Sequence, residues 1–219
     1  MPIADVGAMH PTRIDFPTSR ALLWTAAVTA VAVTLAFPAP ARAAEPTGTI
    51  TGQVSTKAPK LRAGVVVFLD KVPGSFRPPA RPVVMDQQGM KFAPHILAVQ
   101  KGQTVLFNNH DAVRHNIFSP DNEKYNLGTW GQGESKPHTF GTVGVYHQLC
   151  NVHPEMGAVI VVLENPFFGV TGEDGTFQIP NVPPGKYTLK TWSEKLPERS
   201  ETVTVTAGAP TNVHLELVR

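Results

Sequence analysis

Cysteine occurs once in this 219-residue chain, at position 150. A lone cysteine excludes an intrachain disulfide, and without a Cys-x-x-Cys-His run there is no attachment point for a c-type haem. Its sulfur is therefore free, metal-bound or paired with another chain. Long helical periodicity is missing too, which excludes a helical bundle. Charged residues make up only 16% of the chain, and the 19 Lys and Arg are scattered rather than gathered into a stripe. Nothing in that distribution tracks a phosphate backbone, so nucleic acid is not an expected partner. Proline (21) and glycine (18) are abundant, punctuating short runs of β-branched residues. That profile belongs to one or two small all-β domains.

One long apolar run stands apart at the N-terminus. Arg13 and Arg20 precede the uncharged stretch from Ala21 to Phe37, and Ala41-Arg42-Ala43 follows. This order reads as a secretory signal over residues 1–43, with Met9 as an alternative start. The expectation is an exported, periplasmic protein with no membrane span after cleavage. An uncleaved anchor is the other reading, because a run of about 17 residues just suffices to cross a bilayer.

The chain after residue 43 divides into three stretches. In residues 44–75, "TITGQVS" and "AGVVVFLDKV" read as two strands rich in β-branched residues. A segment with Pro73, Pro78, Pro79 and Pro82 then leads into residues 76–163. Proline removes ladder donors, so this segment reads as a crossing between folding units. The middle stretch holds four short apolar runs, "HILAVQ", "QTVLFNN", "VGVYHQLC" and "AVIVVLE", separated by turn signals. Residues 164–219 carry the turns Glu173-Asp174-Gly175 and Pro183-Pro184-Gly185, where glycine is expected to supply a positive φ. Two later segments alternate cleanly, one through Val203 and Val205 and the other through Val213, Leu215 and Leu217, so each should bury one face.

"EDGTFQI" and "PPGKYTLK" resemble the carboxypeptidase regulatory-like, transthyretin-type β-sandwich, whose opening strand has the pattern of "GTITGQV" at Gly48 to Val54. That opening precedes the middle stretch and the remainder follows it. The resemblance implies a small sandwich with a second domain inserted between its second and third strands. A second reading stays open, in which Gly48 to Val72 adds strands to the middle domain.

The chemistry concentrates around Cys150, which begins "CNVHPEM". Cys-x-x-His-x-x-Met on a loop leaving a strand brings a thiolate, an imidazole and a thioether to one ion. On this composition both matches arise by chance roughly once in 1,200. Thiolate and thioether suit copper, and a trigonal His₂Cys set with a weak axial Met is an electron-transfer arrangement. Zinc wants four firm ligands. The second histidine must come from elsewhere, and His115 in "FNNHDAVRHNIFS" is the best candidate.

With Phe107-Asn108-Asn109, then His115-Asn116, then Cys150, His153 and Met156, the middle stretch resembles the plastocyanin/azurin family of cupredoxins, with an amicyanin-type ligand loop. The resemblance implies a Greek-key β-sandwich holding one type 1 (blue) copper. It also implies His115 and His153 as imidazole ligands, Cys150 as thiolate, Met156 as axial thioether and Asn116 as the residue tying the two ligand loops together. Leu149 departs from the family, since plastocyanins carry a tyrosine there at an electron-entry patch. His110 and Glu155 stay open as alternative ligands. His95, His138, His147 and His214 read as surface or packing residues, and Trp130, Tyr125 and Tyr146 read as aromatic packing, with an electron relay as the other reading.

The expected fold is thus all-β, a cupredoxin sandwich inserted in or packed beside a smaller sandwich. The expected function is one-electron transfer between exported redox partners such as a cytochrome c or a dehydrogenase. No enzyme activity is expected, because there is no further histidine set for a second copper. Copper carriage or storage is one alternative, and a cell-envelope binding module with a structural copper site is another.

Overall fold

Alternation and turn chemistry dominate what forms along residues 46–218, the part of the chain that the computed structural model describes. The expected signal, residues 1–43, lies outside it. Among the described residues the regular elements are strands, apart from one 3-10 turn at Pro59–Leu61. In chain order they are β1 (Gly48–Ser55), β2 (Val66–Asp70), β3 (Val83–Gln87), β4 (Phe92–Ala93), β5 (Ile96–Gln100), β6 (Thr104–Asn109), β7 (His115–Ser119) and β8 (Tyr125–Trp130). β9 (Ser135–Thr139), β10 (Gly144–Leu149), β11 (Gly157–Leu163), β12 (Phe168–Val170), β13 (Thr176–Val182), β14 (Gly185–Trp192), β15 (Ser200–Val205) and β16 (Pro210–Glu216) follow.

Four sheets result, with strand orders β13-β1-β16, β12-β2-β14-β15, β5-β11-β10-β7-β8 and β4-β3-β6-β9. β1 pairs antiparallel with β13 and parallel with β16, and β2 pairs antiparallel with β12 and β14. The first two strands therefore form one sandwich with the last five, and β3 to β11 fold as another between them.

Each sandwich has its own core. Ile50, Val54, Val67, Leu69, Ile179, Leu189, Val203 and Leu215 fill the first. Met85, Phe107, Ile117, Trp130, Phe140, Tyr146 and Ile160 fill the second, together with Cys150 and Met156. A third cluster joins the two: Val66 of β2, Ala98 of β5, and Val159, Val161 and Leu163 of β11, flanked by Phe168 and Trp192. Along β11 the side chains at 158, 160 and 162 enter the second core, and those at 159, 161 and 163 enter the junction. Both faces of that strand are buried, which explains its unbroken apolar run "AVIVVL". β2 shows the same split. A fully buried branched side chain contributes about 1.5–3 kcal/mol relative to exposure, so this junction stabilises the pair by several kcal/mol.

The middle stretch has more strands than its apolar runs suggest, since β3, β4, β7, β8 and β9 were not among them. β9 reads Ser-Lys-Pro-His-Thr, and as an edge strand it accommodates Pro137. Phe76, grouped by sequence with the middle stretch, instead stacks edge-on against Phe167 of the first core, with ring centroids 5.1 Å apart. The proline-rich segment thus runs along the first sandwich before it crosses. Of the two glycine turns, only Gly175 has the positive φ (80°). Gly185 has no such need. A Cβ there would meet the Tyr187 ring, with Cζ 3.0 Å away.

Candidate metal centre

β7 and β10 are antiparallel neighbours, with Leu149 opposite Phe118. His115 opens β7 and Cys150 directly follows β10, so the pairing brings both residues to one end of the five-stranded sheet. The Cys150–Met156 loop turns back into β11 there, and the Met156 N–H donates to the His153 carbonyl at 3.0 Å. In this way the ligand atoms of His115, Cys150 and His153 come within 4.8 Å of one another.

The two imidazoles face each other nitrogen to nitrogen, His115 Nδ1 to His153 Nδ1 at 3.0 Å, with the ring planes at 66°. Two imidazole nitrogens that close are favourable only with a proton or a cation between them. His115 and Cys150 are buried, and Met156 lies in the same core cluster, 1% exposed. His153 is half-buried. Val152 beside it and Val113 in the β6–β7 loop are 47% and 45% exposed. Of the three clustered donors, His153 is therefore the one with a surface.

Asn116 binds both ligand loops. Its backbone N–H points to Cys150 Sγ at 3.4 Å and its Oδ1 accepts the Asn151 N–H at 3.3 Å. Its Nδ2 donates to Asn126 Oδ1 at 2.9 Å and to the Gly128 carbonyl at 2.8 Å. Every polar group of this buried side chain has a partner, as burial demands.

The remaining candidates lie elsewhere. His110 pairs with Asp86 at 3.0 Å on the surface, and Glu155 is exposed. His95 bonds Glu194 and the Gly157 carbonyl, His147 bonds Asp121, and His214 bonds Ser55. His138 stacks on Tyr125 at 3.8 Å, while Trp130 and Tyr146 are core residues.

Sequence reasoning did not single out Asp111. Its Oδ2 accepts His115 Nε2–H at 2.8 Å and the Met90 N–H at 3.0 Å, and its Oδ1 accepts the Gly89 N–H at 2.7 Å. Burial works to raise this carboxyl. The Met90 and Gly89 N–H groups and the His115 ring outweigh it and hold Asp111 below the usual carboxylate range. The available signal was a carboxylate four residues before a candidate ligand.

One family match agrees with this chemistry. Residues 80–163 match the model for copper binding proteins of the plastocyanin/azurin family. Residues 166–213, which resembled a regulatory-like sandwich by sequence, match domain II of polysaccharide lyase family 4. No curated protein sequence matches the chain. Among solved structures, a Cu(I) mutant of amicyanin is 26% identical, with a TM-score of 0.36, over 37% of this chain and 82% of that one. An oxidised amicyanin mutant is 27% identical with the same TM-score and coverage. The copper-containing nitrite reductase of Thermus scotoductus is 26% identical over 51% of this chain and 28% of its own, with a TM-score of 0.38. The family match and the buried His₂Cys donor set identify the cofactor as copper, since soft thiolate with imidazole suits that metal.

Proposed function

We propose that this protein is an exported type 1 copper protein that passes single electrons between other proteins and transforms no substrate. The observation that carries this reading is the close set of His115, Cys150 and His153, with one imidazole near the surface and the thiol buried. Copper bound there supplies a one-electron couple between Cu(II) and Cu(I).

The residues around the site keep its shape. Asn116 fixes the start of β7 to the Cys150–Met156 loop, and the Met156 backbone closes that loop on His153. Met156, buried in the same core cluster as Cys150, would supply a weak thioether donor to the copper. A site held in place by the fold needs little rearrangement when its charge changes. Partners would meet it through the partly exposed His153 edge, beside which Val152 is an exposed apolar side chain that can exclude water on contact. A cytochrome c or a dehydrogenase outside the cytoplasm fits that role, with residues 1–43 as the export signal.

The test is the absorption and paramagnetic resonance spectrum of the copper-loaded full chain. An intense thiolate-to-copper band is expected, absent from Cys150→Ala, which still unfolds cooperatively. A protein that binds copper without that band, and hands the metal to an acceptor without redox change, would overturn the reading in favour of carriage.

A further inference from the structure

Asp111 sits in the loop between β6 and β7, four residues before His115, with its side chain 15% exposed. Gly89 and Met90, whose N–H groups grip its carboxylate, are the central residues of the β3–β4 turn. That turn is closed by the Gln88 N–H on the Lys91 carbonyl at 2.9 Å. Both residues have positive φ, 63° and 62°. Successive N–H groups in such a turn form a concave nest for an anion. Met90 adopts this conformation without being glycine, and its N–H donation to Asp111 offsets the cost.

The nest holds the carboxylate on one side, and His115 meets it on the other. An ionised carboxylate only accepts hydrogen bonds, so the nitrogen facing it must carry the proton. That nitrogen is Nε2. His115 Nδ1, the atom 3.0 Å from His153 Nδ1, is left with a lone pair that can accept the His153 proton or bind a cation.

We propose that Asp111 is a positioning residue of the copper centre: it locks His115 in the Nε2–H tautomer and, through its charge, favours Cu(II) over Cu(I). The proposal rests on the copper electron-transfer reading. A neutral acceptor would fix the same tautomer. A carboxylate also makes the imidazole a stronger donor, as outer partners of metal-bound histidines do.

Two readouts separate these effects. Nitrogen-15 imidazole spectra of the native copper-free chain should show His115 as a single Nε2–H tautomer. Asp111→Asn, which keeps an acceptor oxygen, should retain it, and Asp111→Ala should show a mixture. In the copper-loaded chain, Asp111→Asn should shift the equilibrium toward Cu(I) about tenfold, or ~59 mV for a one-electron couple. A mixed tautomer in the native chain overturns the proposal without any variant. So does an Asp111→Asn protein that binds copper with a Cu(II)/Cu(I) equilibrium within twofold of native, since Asp111 then merely braces the loop. A native chain without the blue band but with a locked tautomer would instead sink the electron-transfer reading and leave the lock standing.

Discussion

Replacing Asn116 by alanine tests the claim that the two ligand loops are held by one side chain. The substitution removes three hydrogen bonds, to Asn126 Oδ1, the Gly128 carbonyl and the Asn151 N–H. Asn126 Oδ1 keeps a second partner, the Gly128 N–H at 2.9 Å. The Gly128 carbonyl and the Asn151 N–H lose the bond that Asn116 gave them. At about 1–3 kcal/mol for each group left unsatisfied, and with these sites only partly buried, the loss comes to about 2–3 kcal/mol. For a chain of this size that lowers Tm by roughly 5–10 °C. The larger consequence concerns copper. Without the bond to Asn151 the Cys150–Met156 loop is no longer held against β7, and affinity should fall about 10–100-fold, the usual cost of losing an outer partner of a metal site. Thermal melts of the copper-free chain measure the first quantity, and competition with a copper chelator of known affinity measures the second. If Asn116→Ala changes Tm by less than 1 °C and copper affinity by less than twofold, the loops are held by something else and the argument fails.

Two further predictions follow from other parts of the molecule. Gly52 in β1 has no room for a Cβ, which would stand 2.4 Å from the Val213 carbonyl oxygen and 2.7 Å from Phe177 Cζ. Gly52→Ala should therefore cost about 1–3 kcal/mol by overpacking yet leave the copper spectrum unchanged, because the first core is separate from the second. A shifted spectrum would show the two cores to be coupled. Burial holds His138 below the ordinary histidine pKa of 6.5, against the opposing pull of Glu123. Its unfolded form therefore takes up a proton at higher pH than the folded form, so stability should be level above pH ~6.5 and fall as pH drops below it. His138→Gln should flatten that slope in urea melts, and equal slopes in the two proteins would refute the assignment.

Different physics decided which features could be read in advance. Cys150, His153 and Met156 share one short loop, so their spacing in sequence is nearly their spacing in space. His115 was within reach because it follows a recognisable strand and adjoins Asn116. Asp111 was not, since its role depends on the turn at Gly89 and Met90, 22 and 21 residues earlier in the chain. No local pattern announces that meeting. Strands with one buried face and a clear alternation, such as β15 and β16, stood out, and so did the doubly buried β11. The polar edge strand β9 did not, because an edge tolerates proline and needs little apolar surface. The proline-rich segment was read as a crossing, but only packing reveals that Phe76 belongs to the first core.

The junction cluster bears on how this protein can be taken apart. Val159, Val161, Leu163, Ala98 and Val66 are buried only because the sheets on either side cover one another. A fragment ending at residue 163 would keep every copper donor yet turn a greasy sheet face to water, and self-association is the expected fate of such a surface. The copper unit is thus not a portable cassette. The same seam also acts as a fixed mount. By burying side chains of both sandwiches in one cluster, it fixes the first sandwich relative to the sheet whose strands β7 and β10 position His115 and Cys150.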